Sequence, residues 1–106
     1  MATGIVEMRT YTLHPGKVPL YLEHYEKEGL EVQRRILGNL VGYYSSEIGT
    51  VNQIVHMWGY ADLAERQRRR AELAADPTWK AYLPKILPLI QLMENKILIP
   101  TAFSPR

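Results

Sequence analysis

The sequence predicts an α+β domain, one four-stranded antiparallel sheet with its helices on one side, and three observations predict it. Segments rich in Val, Ile, Tyr and Trp mark four strands. Segments with apolar residues at steps of three and four mark two helical regions, and the order reads strand, helix, strand, strand, helix, strand. That order is the split βαβ, or ferredoxin-like, plan. The 106 residues suit a single domain, 1–106. A domain near this size buries only about two-thirds of the surface its unfolded chain exposes, so a second subunit would add useful burial.

The first strand, Ile5 to Leu13, places Val6 and Met8 on one face and Glu7, Arg9 and Tyr11 on the other. Val6 and Met8 are read as the core side. A carboxylate, a guanidinium and a phenol are costly to bury without partners, so their face should be enclosed and paired, with a second subunit as the enclosing surface. His14-Pro15-Gly16 ends the strand, and Pro19 suits the first turn of a helix, where a missing N–H costs nothing. Val18, Leu22, Tyr25, Gly29, Val32 and Ile36 give that helix one narrow apolar stripe, closed by Gly38. Gly29 costs ~1 kcal/mol against Ala inside the stripe and marks a close approach or a local break.

Asn39 to Glu47 and Val51 to Tyr60 read as a hairpin turning at Ile48-Gly49-Thr50. Asp62, with Glu65 three residues later, starts a helix in the manner of a capping box. Asp76-Pro77 interrupts it and caps a shorter helix bearing Trp79, Leu83, Ile86 and Leu87, bent or ended near Pro84 and finished by Pro88. A last strand runs from Leu92 to Ile99. Helices on one face of a sheet leave the other to be solvated, filled by a ligand or covered by a second copy.

Composition narrows the function classes. With 46% hydrophobic and 23% charged residues the chain has a soluble globular profile, and no apolar run approaches the ~18 residues that span a membrane. Met1-Ala2-Thr3-Gly4 leads directly into a strand without a basic apolar leader, so the expected compartment is the cytoplasm, with no membrane insertion. The absence of cysteine removes disulfides and thiolate chemistry. Thirteen basic against eleven acidic side chains give no field suited to nucleic acid. The one basic cluster, Arg66, Arg68, Arg69 and Arg70, reads as a solvated helix face paired at i,i+4 with Asp62, Glu65 and Glu72. His14, His24 and His56 lack metal-ligand spacing, and there is no Gly-x-Ser-x-Gly elbow or phosphate loop, so neither a metal nor a cofactor is expected.

Parity divides the third strand into Gln53, Val55 and Met57 on one face and Asn52, Ile54, His56, Trp58 and Tyr60 on the other. The first and third strands are neighbours in this topology. Matching their polar halves brings Glu7, Arg9 and Tyr11 beside Asn52, His56 and Trp58, provided no bulge shifts the register. Two compatible readings stand. One is a hydrogen-bond network that closes a dimer. The other is a small-molecule pocket in which Arg9 holds a carboxylate, His56 moves a proton near neutral pH and Trp58 stacks on a flat ligand. Trp79 and Tyr82 read as core residues.

Glu7-x-Arg9-x-Tyr11-Thr12-Leu13-x-Pro15-Gly16, Gly38-Asn39-Leu40-Val41-Gly42-Tyr43, Glu47-x-Gly49-x-x-Asn52-Gln53, His56-x-Trp58-x-Tyr60 and Ala74-Ala75-Asp76-Pro77-x-Trp79 together resemble the NIPSNAP family over nearly the whole chain. The resemblance implies a ferredoxin-like subunit that pairs sheet to sheet as a dimeric α/β barrel, in a family without a settled biochemical activity. The wider barrel group includes cofactor-independent monooxygenases, haem-degrading enzymes and muconolactone-type isomerases, a likeness of fold alone. Two functions follow as expectations. The first is a homodimeric small-molecule-binding or interaction module. The alternative is a cofactor-independent monooxygenase or isomerase acting on a small aromatic or oxo-acid, with Arg9 orienting the substrate, His56 as general base, and Tyr11 or Asn52 stabilising an enolate or phenolate.

Overall fold

Four strands, β1 (Ile5–Leu13), β2 (Asn39–Ser45), β3 (Gln53–Tyr60) and β4 (Ile90–Leu98), form one antiparallel sheet in the order β2-β3-β1-β4. The structure is a computed structural model and describes residues 3–106. Helices α1 (Val18–His24), α2 (Leu30–Leu37), α3 (Leu63–Ala75) and α4 (Pro77–Ile86) all pack on one side, which is the expected ferredoxin-like arrangement. One end of the core joins Tyr11, Leu13 and Ile54 of the sheet to Tyr21, Tyr25, Tyr82 and Ile86 of the helices. The other joins Ile5, Trp58 and Tyr60 to Val32, Ile36, Leu37 and Leu73. With a smallest extent of 19 Å, the molecule is one sheet and one helix layer thick.

The register confirms the match between strands and reverses the assignment of faces. Glu7 lies opposite Trp58, Arg9 opposite His56 and Tyr11 opposite Ile54, with no bulge between β1 and β3. These residues face the chain's own helices, and Val6 and Met8 face the open side of the sheet. Helix α3, and not a second subunit as expected, encloses Glu7. The physical reason lies at the ends of β1. Ile5 and Leu13 share the parity of Glu7, Arg9 and Tyr11 and are both buried, while Thr10 and Thr12 share that of Val6. Two apolar ends and Tyr11 outweigh one ion pair in choosing which face meets the helices.

A bulge does occur in β2, where the register shifts between Leu40 and Gly42. Leu40 stays on the helix side opposite Trp58, and Tyr43 returns to that side opposite His56. The hairpin turn is wider than expected, spanning residues 46–52. Gly49 and Asn52 take positive φ there, and Ser46 Oγ accepts the Gln53 N–H at 3.2 Å, so local side-chain bonding ends the ladder early.

The first helical region is broken by a π-helical turn, Tyr25–Gly29, between α1 and α2. The break changes the phase of the buried stripe, so Tyr21 and not Leu22 faces inward before it. Both anticipated roles of Gly29 are present, because a Cβ at that position would come within 2.8 Å of the Tyr82 ring. Asp62 caps α3 through the Glu65 N–H, and Glu65 reaches back to the Ala61 N–H, both at 2.8 Å. Asp76 ends α3 and caps α4 by accepting the Trp79 N–H. Helix α4 continues through Pro84 to Ile86, and a 3₁₀ turn carrying Pro88 leads into β4, which begins at Ile90 and not Leu92. On α4 the buried residues are Tyr82 and Ile86, while Leu87 just beyond it is exposed.

Candidate functional site

Glu7 is fully buried on β1, in the interior of the sheet. Its Oε2 accepts from Arg9 Nη1 (3.0 Å), Arg66 Nη2 (2.8 Å) and Asn95 Nδ2 (2.9 Å), and its Oε1 accepts from Arg66 Nε (3.1 Å). Arg66 thus grips the carboxylate with a two-pronged fork from helix α3. Burial alone would raise the Glu7 pKa, but the hydrogen bonds from Arg66 and Asn95 and the charges of Arg9 and Arg66 outweigh it and hold it at about 2. Arg9 spends its Nε on the Tyr11 hydroxyl at 2.9 Å and keeps 11% of its side chain exposed.

His56 sits one strand away, between the Tyr43 ring stacked at 4.6 Å and the edge of Tyr11 at 5.0 Å. The indole Nε1–H of Trp58 donates to His56 Nδ1 at 2.7 Å. An imidazole that accepts at Nδ1 and stays neutral carries its proton on Nε2. His56 is held neutral by burial first and then by the charges of Arg9 and Arg70, which lower its pKa to about 3. Its Nδ1 lone pair is taken up by Trp58, and its Nε2–H is the donor it can offer. Among the described residues its buried Nε2 has no partner, nor does the buried hydroxyl of Tyr60.

The expected constellation of Glu7, Arg9, Tyr11, His56 and Trp58 is brought together, in the helix–sheet interior. Asn52 stands apart in the hairpin turn, where its backbone carbonyl accepts the Leu13 N–H and its φ is 61°. A register that runs through β3 does not extend into that turn. Three residues at the cluster escaped the sequence reading: Arg66, Arg70 and Asn95. Of the basic cluster on α3, Arg69 pairs with Glu65 as expected at 3.7 Å, but Arg66 leaves Asp62 for Glu7. The overlooked signal is Leu73, the single buried residue of α3. Residues three and seven positions before it, Arg70 and Arg66, share its inward face.

A sequence profile of the NIPSNAP family matches residues 6–105. The chain belongs to the NIPSNAP family. It is 38% identical over 93 residues to human NipSnap homolog 3A, covering 86% of this chain and 37% of that protein. It is 32% identical over 104 residues to zebrafish (Danio rerio) NipSnap homolog 1, covering 97% of this chain and 36% of that one. The chain thus spans little more than a third of these relatives' length. Bacterial NIPSNAP structures match from end to end. One from Agrobacterium tumefaciens, a family protein with unknown function, is 51% identical, with a TM-score of 0.95 over 97% of this chain and 93% of its own. One from Burkholderia xenovorans is 48% identical, with a TM-score of 0.95 over 100% and 92%. A candidate antibiotic biosynthesis monooxygenase from Nitrosomonas europaea shares the fold at 9% identity, with a TM-score of 0.64 over 88% and 94%. In this NIPSNAP chain no helix among the described residues is long and apolar enough to cross a membrane.

Proposed function

We propose that this NIPSNAP chain is a homodimeric module that binds a small molecule between helix layer and sheet, at the cluster of Glu7, Arg9, Tyr11, His56 and Trp58. The observation that carries the reading is a buried polar cluster whose donors are not all used. Buried ion pairs add little net stability, yet this one commands two arginines and an asparagine around a single carboxylate. Behind it His56 Nε2 and the Tyr60 hydroxyl lie buried without partners among the described residues, an arrangement common where a ligand completes the bonding. Regular strands hold every member, so the site is rigid before anything binds.

The enzymatic alternative, a cofactor-independent oxygenase or isomerase, keeps its anion-stabilising donors but lacks a base. The Glu7 carboxylate is consumed by its four hydrogen bonds, and His56 accepts through Nδ1 from Trp58. Binding is the better-supported reading. The Trp58 indole N–H offers the test, since its NMR resonance reports on His56 directly. A fragment library screened by ¹H–¹⁵N spectra should yield compounds that shift this resonance together with the Arg9 side-chain signal. A library that moves only surface amides would reject the proposal.

A further inference from the structure

The inward face of α3 carries a charge that the Glu7 network does not absorb. Arg66, Arg70 and Leu73 share that face, and Arg66 lies on Glu7. Arg70 follows one turn later, about 6 Å along the axis. Its half-buried guanidinium makes no hydrogen bond or ion pair among the described residues. Its place one turn from Arg66, which is bonded to Glu7, keeps its charge on the same side as the cluster, and burial followed by the Arg9 charge lowers its pKa. Two guanidiniums bind the Glu7 carboxylate, and Arg70 adds a third positive charge one helical turn beyond Arg66. A cation held in this way against another cation is unfavourable unless an anion joins them.

The neighbouring strand supplies a second observation. On β4, Met93, Asn95 and Ile97 lie opposite Tyr11, Arg9 and Glu7, and so belong to the helix side of the sheet. Among the described residues no helix covers them. Met93 is 45% and Ile97 41% exposed, which leaves two apolar side chains flanking Asn95 beside the partly open edge of Arg9.

We propose that Arg9 and Arg70 clamp the carboxylate of a small organic acid whose apolar body lies on Met93 and Ile97. This deepens the reading of the cluster as a ligand site and rests on it. Two guanidiniums from different elements offer paired N–H donors to a planar carboxylate, and Asn95, opposite Arg9, leaves Met93 and Ile97 to contact the apolar body from either side. A carboxylate with an attached hydrocarbon fits better than free phosphate, because Met93 and Ile97 give a bare inorganic ion nothing to bury.

Benzoate, benzamide and inorganic phosphate are the probes, tested by calorimetry and thermal melting on the wild-type chain and on Arg70→Met. Benzoate should bind and raise the melting temperature, an effect weakened by salt. Benzamide and phosphate should do neither. Arg70→Met should bind benzoate at least about tenfold more weakly. Without ligand it should melt higher than wild type, because an apolar side chain replaces an unpaired, half-buried cation. Equal binding of benzamide or phosphate, unchanged benzoate affinity in Arg70→Met, or no benzoate binding would each overturn the inference. A lower melting temperature of the ligand-free variant would do so too, since Arg70 would then support the fold. If neutral fragments still shift the Trp58 indole while benzoate fails, the ligand site survives and only its anion preference falls.

Discussion

At the scale of single residues, this domain depends on two buried titratable groups kept in their pH 7 states. His56 is neutral, with its pKa lowered to about 3, and protonating it favours the unfolded chain, where a histidine titrates near 6.5. A depressed folded pKa contributes stability above the unfolded value, and that stability is lost as pH falls from 6.5 toward 3. Between pH 7 and 5 the loss should be about 2 kcal/mol. Urea unfolding across this range measures it. His56→Gln, which keeps an acceptor for Trp58, should flatten that limb of the curve. Glu7 has the same sign of linkage at a lower pH, present above about 4.5 and lost toward about 2. At neutral pH, Glu7→Gln should cost about 3 kcal/mol, because Arg66 and Arg9 lose their counter-charge. The difference from wild type should narrow below pH 4.5, and a constant difference there would assign the loss to packing alone.

Secondary-structure elements show what was legible in the sequence and what was not. Asp62, Asp76, Pro77 and Gly38 act through bonds within a few residues, so both later helices and the end of α2 were readable from local chemistry. Strand parity likewise placed Arg9 beside His56. Parity cannot say which face meets the helices, since that depends on the summed burial of both faces. Weighing Glu7 and Arg9 above Ile5, Tyr11 and Leu13 therefore gave the reverse answer. Arg66 and Arg70 were hidden for a related reason: local i,i+4 acids offered them partners, and only tertiary packing shows that Glu7 offers Arg66 a better one. The π-helical turn belongs to the same class, because the Tyr82 ring of α4 occupies the space over Gly29. Ala is the better helix former by ~1 kcal/mol, yet Gly29→Ala should destabilise the domain by about 1–3 kcal/mol through overpacking on Tyr82. Combining it with Tyr82→Leu should recover part of the loss. Additive losses in this double-mutant cycle would place the strain elsewhere.

For the whole molecule, the reversed faces change where a second copy would sit. The polar half of β1 is already enclosed by α3, so a partner is not needed to neutralise Glu7. The open face instead presents Met8, Val55 and Met57 on the two central strands, flanked by Val41, Leu92 and Leu98, while Val6 on the same face is buried beside Ile99 and Pro100. A sheet covered on one side only, with this much aliphatic surface on the other, suits a symmetric pairing in which each copy buries about 800 Å². Sedimentation at low micromolar concentration should therefore give a dimer. Met57→Glu, opposite Met8 at the centre of that face, would place two copies of a buried carboxylate at the two-fold contact and should give a monomer with unchanged far-UV dichroism. Ile97→Glu is the informative contrast, since Ile97 lies on β4 but on the helix side of the sheet. It should leave the dimer intact while weakening benzoate, because it puts a carboxylate beside the anion clamp. A monomer from Ile97→Glu with a persistent dimer from Met57→Glu would locate the interface on the helix side and reject sheet-to-sheet pairing.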